Sequence, residues 1–314
     1  MWRWLALGLI LVASAAGSED SPTRMHVTLP LLDVRAAPEP AKRDRDHDPL
    51  QETQLLYGEE VLVHETRDGW ARIEAVEQPE WSHHGRWEGY PGWVEQRGLA
   101  EASSWEPNLT VTSKLGVIRN RPHSSGLVLL RCSLGTWLRV EDSSNDWQRI
   151  ILLDGREGWI HARHTASLRA MQAMPTSSRR TWILQAARQF LGDPYYWGGR
   201  TAHDPGASSP PHTAVDCSGL VNLCYRAAGL IIPRDAHEQF LKAAPISLEQ
   251  AQPADLVFLS SAKHPDRITH VMLYAGKGRV IEAPGAGGQV REVALEDKRL
   301  EAKDRRVTYG TLLE

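Results

Sequence analysis

Asp216-Cys217-Ser218-Gly219-Leu220, preceded by Tyr195-Tyr196-Trp197-Gly198-Gly199, is the stretch on which the reading of this chain turns. Asp216 is a residue type that caps helices, and the residues after it carry a helix to Ala228, where Gly229 stops it. Cys217 therefore stands at a helix N-terminus. Unpaired N–H groups and the positive end of the helix dipole favour a thiolate there. Cys224 lies two turns deeper on the same face without that support and reads as a packed core thiol. Upstream, Thr181 to Leu191 presents apolar residues on one helical face and ends at Gly192-Asp193-Pro194. A Gly/Ser/Pro/His-rich loop from Thr201 to Ala214 leads back to Asp216.

Downstream, Asp255 to Leu259 reads as a strand, followed by a hairpin with arms Ile268–Tyr274 and Arg279–Ala283 around Gly276-Lys277-Gly278. A symmetric turn pairs Leu273 with Ile281 and Met272 with Glu282. His270 shares a face with Met272, so Glu282 becomes its diagonal neighbour, within side-chain reach. A slip of one residue would send Glu282 to the other face. Cys217, His270 and Glu282 thus form a candidate nucleophile, base and orienter.

Working further outward, residues 34 to 168 read as two copies of one pattern. The first runs from Val34-Arg35 through Gly58-Glu59-Glu60-Val61 and Asp68-Gly69-Trp70 to Gly92-Trp93. The second runs from Val117-Ile118 through Gly135-Thr136-Trp137 and Asn145-Asp146-Trp147 to Gly158-Trp159. Short alternating runs bounded by Gly, Asp and Asn are strands joined by tight turns, so each copy is expected to be a small β-barrel. The chain has 12 Trp against 3 Phe and 7 Tyr, and eight of the Trp lie between residues 70 and 159; the expectation is that most plug barrel ends. The first copy carries an insertion with Trp81, His83, His84, Trp87 and Tyr90. Adjacent histidines on a strand point to opposite faces, so the insertion is read as a solvated loop with no metal role. Residues 161 to 179 read as linker.

With 314 residues, net charge −3 and 41% hydrophobic residues, the chain has room for two or three globular domains. It lacks the bulk positive charge of a non-specific nucleic-acid binder. Met1 to Ala16 reads as a secretory signal: one Arg, an apolar run from Trp4 to Val12, then Ala13-Ser14-Ala15. No other stretch is long enough to span a membrane, so an exported protein is expected, in the periplasm or at the cell wall. Three cysteines are too few for a disulfide scaffold, and at least one thiol stays free.

The two repeats resemble bacterial SH3-type domains. The Asp-Cys-Ser-Gly-Leu, Tyr-x-Trp-Gly-Gly and His-Val motifs resemble the NlpC family of papain-like cysteine peptidases. The resemblance implies a multidomain chain of two all-β SH3-like barrels followed by an α+β papain-like catalytic domain. Its divisions are a signal peptide (1–16), a first barrel with N-terminal extension (17–101), a second barrel (102–168), a linker (169–179) and the peptidase domain (180–314). It also implies cleavage of peptidoglycan stem peptides or muropeptides between D-glutamate, joined through its γ-carboxyl, and a diamino acid. Two SH3-type domains ahead of the catalytic one resemble the subgroup that prefers a free N-terminal L-alanine. Carried over by position, Cys217 is the nucleophile, His270 the general base and acid, Glu282 the third member where many relatives have His, and Tyr195 the hydroxyl facing the oxyanion. Asp216, Ser218, Trp197, Arg234 and Asp235 fall on substrate-contacting stretches, with Ala236 replacing the family's frequent Ser. From the first barrel, Tyr90 and one of Glu52 or Glu59 are expected to close the cleft over the alanine amine. No metal, cofactor or nucleic acid is expected, and the protein is expected to act as a monomer. Two rival readings are an amidase or transacylase on the same scaffold, and a cell-wall-binding protein with an inert catalytic domain.

Overall fold

Alternating apolar residues between tight turns build two sheets of seven strands in the first half of the chain. The structure is a computed structural model that describes residues 21–42, 47–101, 105–144, 146–207, 211–296 and 305–313. The expected signal segment at 1–16 lies outside the described residues, as do Asn145 and Ser208 to Pro210. No helix among the described residues is long and apolar enough to cross a membrane.

The first sheet contains β1 (Thr23–Val27), β2 (Leu31–Arg35), β3 (Gln51–Leu56), β4 (Glu60–Arg67), β5 (Trp70–Glu80), β6 (Glu88–Glu95) and β7 (Leu99–Ala100). The second contains β8 (Leu109–Val111), β9 (Leu115–Arg119), β10 (Val128–Ser133), β11 (Trp137–Ser144), β12 (Trp147–Ile151), β13 (Glu157–His161) and β14 (Thr165–Ser167). Their strand orders are β3-β2-β6-β5-β4-β1-β7 and β10-β9-β13-β12-β11-β8-β14, the same permutation twice, which is the spatial form of the sequence repeat. The repeated turns explain it. Asp68 and Gly69 both take positive φ (50° and 80°) between paired Arg67 and Trp70, the backbone a two-residue hairpin needs. In the second copy Ser144 pairs with Trp147 around an equally short connection.

The signature tryptophans lie outside the fully buried aliphatic cores. The buried core of the first sheet is Val, Leu, Ile, Ala and Tyr90, and that of the second is Leu, Val, Ile, Cys132 and Tyr57. Trp70, Trp93, Trp147 and Trp159 are half-buried at the surface. Trp93 lies under the Arg67 guanidinium at 4.7 Å, and Trp137 lies under Arg226 at 4.0 Å, at a seam with the last domain. A large ring with a polar edge suits a seam better than a small aliphatic core.

The expected linker is structured: α1 (Leu168–Gln172) follows β14 directly, and α2 (Thr176–Arg188) starts five residues before the expected helix, behind Pro175. The last domain then places α3 (Cys217–Ala227) and α4 (Ala236–Lys242) against β15 (Ala244–Ile246), β16 (Leu256–Ser261), β17 (His264–Gly276), β18 (Arg279–Glu282), β19 (Arg291–Ala294) and β20 (Arg305–Thr311). The strands form an antiparallel sheet in the order β15-β20-β16-β17-β18-β19. Ile183, Ala187, Leu220, Cys224 and Tyr225 of the helices pack on Phe258, Val271 and Leu273 of the sheet.

The three units are joined by buried charge. Arg200 donates to Glu59 (2.8 Å) and to the Gln54 carbonyl (3.2 Å), both of the first sheet domain. Arg226 pairs with Glu59 (3.2 Å) and Glu77 (2.8 Å) and donates to the Gly135 carbonyl of the second (3.0 Å). Burial alone would raise the Glu59 carboxyl, but Arg200 and Arg226 outweigh it and hold it below the usual range. Of the two glutamates offered for the cleft, Glu52 and Glu59, it is therefore Glu59 that does not line it; both guanidiniums enclose it. Removing one member of such a cluster leaves the others buried without a counter-charge. Glu59→Ala should lose roughly 3–5 kcal/mol of stability in urea unfolding, whereas breaking the exposed Arg156–Asp154 pair should change it by less than about 1 kcal/mol. Equal effects of the two substitutions would contradict this account.

Candidate active site

Asp216 caps α3, its Oδ1 accepting the Gly219 N–H at 2.6 Å. Gly219 is there because a Cβ at this position would meet the Gly199 carbonyl oxygen at 2.2 Å. Gly198, at φ +71°, rests against Gln51 and Glu52 of β3, where a Cβ would meet Gln51 Cγ at 2.8 Å. The two glycines of the aromatic tract are thus contact points, one with the helix start and one with the first sheet domain. Tyr195 is fixed beside this helix start by a bridge to Val215.

β17 and β18 bring in the other two groups. Gly276, Lys277 and Gly278 all have positive φ, and Leu273 pairs with Ile281, the register of a symmetric turn. His270 Nε2 and Glu282 Oε2 lie 2.8 Å apart, both buried, and Arg291 Nε donates to Glu282 Oε1 at 3.0 Å. The imidazole lies beside Cys217. Burial opposes the charged ring, but the hydrogen bonds and charges of Cys217 and Glu282 outweigh it and lift His270 to about 9. This constellation can hold a proton on the ring next to a sulfur and keep the ring oriented through a carboxylate.

Cys217 opens onto a cleft of about 420 Å³ walled by Tyr195, Trp197, Asp216, Ser218, Asp235 and Ala236, with Glu52, Ser82 and Tyr90 supplied by the first sheet domain. Trp197 is 52% exposed, its ring 5.9 Å from that of His47. Burial, together with Asp216 and Cys217, pushes the Tyr195 phenol well up, so it remains an O–H donor. The Tyr90 hydroxyl donates to Asp235 Oδ2 (3.1 Å) and Glu52 Oε2 (3.2 Å). Asp235 precedes α4 without capping it and turns its carboxylate into the cleft instead. Burial, opposed by Arg234 and reinforced by Asp216 and Glu238, raises Asp235 to about 6.

Arg234 lies beneath the cleft and does not line it, contrary to its expected substrate contact. It is fully buried, and its donors are spent on both Asp216 oxygens (3.1 and 2.8 Å), Ser218 Oγ (2.8 Å) and Thr53 Oγ1 (2.7 Å). Both Asp216 oxygens are in turn occupied by Arg234, Gly219 N and Gly198 N. Ser82, Glu238, Arg267 and Thr269 also line the cleft but stand in no sequence motif. Only the position of Arg267 and Thr269 just ahead of His270 hinted at them.

Residues 192–308 match the NlpC/P60 family, and residues 112–166 match the bacterial SH3 domain. The chain is a hydrolase of the endopeptidase kind, carrying an NlpC/P60 domain behind a bacterial SH3 domain. A γ-D-glutamyl-L-lysine dipeptidyl-peptidase of Bacillus cereus is 27% identical over 252 residues, 78% of this chain and 70% of that protein. One of the same description from Bacillus subtilis is 26% identical over 258 residues, 80% of this chain and 78% of that protein. The crystal structure of an NlpC/P60 family protein from Bacillus cereus superposes with a TM-score of 0.78 at 23% identity, over 93% of this chain and all of that one, so the fold is shared over that span.

A histidine raised from 6.5 to about 9 by folding adds stability that is fully present below pH 6.5 and is lost as the pH rises through 9. Urea unfolding should show up to about 3 kcal/mol lost across that window, and Glu282→Gln should remove part of the loss, with the Cys217 contribution remaining. The buried thiols Cys132 and Cys224 are pushed up by burial, so they too cost stability above the ordinary thiol range, but equally in both proteins. Identical pH profiles for wild type and Glu282→Gln would contradict the assignment.

Proposed function

We propose that this protein is an exported peptidoglycan endopeptidase. It hydrolyses the bond between γ-D-glutamate and the diamino acid of stem peptides, through an acyl-enzyme on Cys217 and with preference for a free N-terminal L-alanine. The observation that carries the reading is the Cys217–His270–Glu282 constellation, whose Cys217 opens onto a cleft also lined by Tyr90, Glu52 and Asp235. The activity named for its two Bacillus relatives supports the γ-D-glutamyl bond class. A 27% identical relative from Mycobacterium tuberculosis, named a peptidoglycan endopeptidase, supports a cell-wall substrate and an action outside the cytoplasm.

In this reading the Cys217 sulfur attacks the γ-glutamyl carbonyl, and the carbonyl π electrons move onto oxygen. The Tyr195 hydroxyl and the Cys217 N–H at the start of α3 stabilise that oxyanion. Collapse expels the diamino acid amine, which takes its proton from His270, and leaves a thioester. The now neutral imidazole removes a proton from water, whose hydroxide attacks the thioester; the second collapse breaks the C–S bond, releases the γ-carboxyl product and leaves the Cys217 thiolate beside protonated His270. Glu282 holds the ring in one tautomer and supports its charged form.

The acidic end of the cleft supports the L-alanine preference. Glu52 and Asp235, bridged by the Tyr90 hydroxyl, provide negative charge and hydrogen-bond acceptors where an ammonium group two residues from the scissile bond would end. Because these groups come from both the first sheet domain and α4, the cleft admits short free stem peptides and excludes stems extended at the amino end. We also read the first sheet as a second bacterial SH3-type domain, supported by its strand order, the same as that of the matched one.

Cys217→Ala should lower hydrolysis of L-Ala-γ-D-Glu-diaminopimelate by at least about a thousandfold, while Cys224→Ala keeps most of it, both followed by mass spectrometry of products. Full activity of Cys217→Ala would end the proposal. Tyr90→Phe and Glu52→Gln should raise KM for the free-amine substrate by about tenfold with a smaller change in kcat. They should barely affect turnover of the N-acetylated analogue, which wild type should cleave poorly. Equal cleavage of free and acetylated substrates by wild type would remove the gating role.

A further inference from the structure

β5 and β6 run on past the rest of the first sheet and end in the loop 81–87. At the base of that loop Glu80 pairs directly with Glu88 across the ladder. Two carboxylates facing each other on a ladder repel, and Glu80 is 1% exposed, so water cannot relieve the repulsion on that side. His84 stands over the pair. One ligand atom from each of Glu80, His84 and Glu88 lies within 4.8 Å of the others. The second observation is an orphaned atom. Glu80 Oε2 faces His83 Nδ1 (2.9 Å) and accepts the His83 N–H (3.1 Å), but Glu80 Oε1 is buried with no hydrogen-bond partner. A buried carboxylate oxygen left in this state lacks something that native structures supply.

We propose that Glu80, His84 and Glu88 form a divalent metal site suited to Zn²⁺. One imidazole nitrogen and two carboxylate oxygens make a mixed N/O set that fits this ion, with a fourth position open to water. An all-oxygen ion such as Mg²⁺ would gain nothing from the histidine. Without metal, Arg86 carries the compensating positive charge on Glu88, and His84 shares a hydrogen bond with it. On binding, the ion takes over that role, bridges both strands and satisfies Glu80 Oε1.

The position gives the site a consequence for the cleft. Ser82, inside the loop, donates to Glu238 of the cleft wall. His83 packs its ring 5.1 Å from that of Tyr90, with Nε2 3.9 Å from Glu52. Trp87 carries Lys242 of α4 over its ring at 4.0 Å. An ion at the base of the loop would clamp the segment that braces Tyr90 and Glu52. The site shares no residue with the Cys217 constellation and does not depend on the substrate assigned above.

The test is calorimetric titration of Zn²⁺ into the chelator-treated full chain carrying Cys217→Ala, which keeps the thiol from competing. Tryptophan emission reports on Trp81 and Trp87, whose rings are 5.8 Å apart beside the site. One equivalent should bind with a change in emission, and His84→Ala and Glu88→Gln should each weaken binding at least tenfold. His84 is exposed, so its substitution leaves the fold intact and keeps the test valid if a Glu80 variant fails to fold. Absence of stoichiometric binding, or binding that neither substitution weakens, would overturn the proposal.

Discussion

One buried ion pair carries the geometry of the cleft. Asp216 caps the helix that begins with Cys217, holds the Gly198 N–H of the aromatic tract, and pairs through both oxygens with Arg234. Arg234 in turn reaches Thr53 Oγ1 of the first sheet domain. A charge buried this completely is tolerated only when its partner and its hydrogen bonds are all in place. The start of α3, the loop bearing Tyr195 and Trp197, and the strand bearing Glu52 are therefore positioned together or not at all.

The same logic repeats on a larger scale around Glu59. Arg200 and Arg226 converge on it from the catalytic domain, and Arg226 continues to the second sheet domain through Gly135 and the Trp137 ring. Burying two guanidiniums is costly unless carboxylates meet them, as Glu59 and Glu77 do here, so the domains cannot slide without leaving an ion unpaired. This rigidity lets a separate domain supply part of the cleft. Tyr90 and Glu52 come from one folding unit and Asp235 from another, yet they meet within 3.2 Å.

Much of this was legible because it is local. Asp-Cys-Ser-Gly is a cap and a helix start, and its glycine answers a steric demand. The Gly-Lys-Gly turn sets the register that brings Glu282 to His270 over a separation of twelve residues. The Asp68-Gly69 turn signals the hairpin that both repeats share. What was misread is non-local. Glu59 and Glu52 look alike in sequence, but one is enclosed by two arginines and the other opens on the cleft. Arg234 and Asp235 are neighbours, yet the arginine is spent beneath the cleft and only the aspartate faces it. Trp137, one of the tryptophans expected to plug barrel ends, instead meets Arg226 of the last domain at a seam. The linker is a helix because α1 is capped by Ser167 and packs through Leu168 and Met171.

The sequence by itself determined the elements that short-range forces decide: two copies of one sheet pattern, a cysteine at a capped helix start, and a histidine–glutamate pair set by hairpin register. The tertiary structure alone decided which charges are buried and which face the cleft, because burial depends on distant partners, 141 residues away for Arg200 with Glu59 and 181 for Arg234 with Thr53. It also decided that the insertion loop is a wall of the cleft rather than a free tip, since a side chain's solvent is chosen by whatever the fold packs against it.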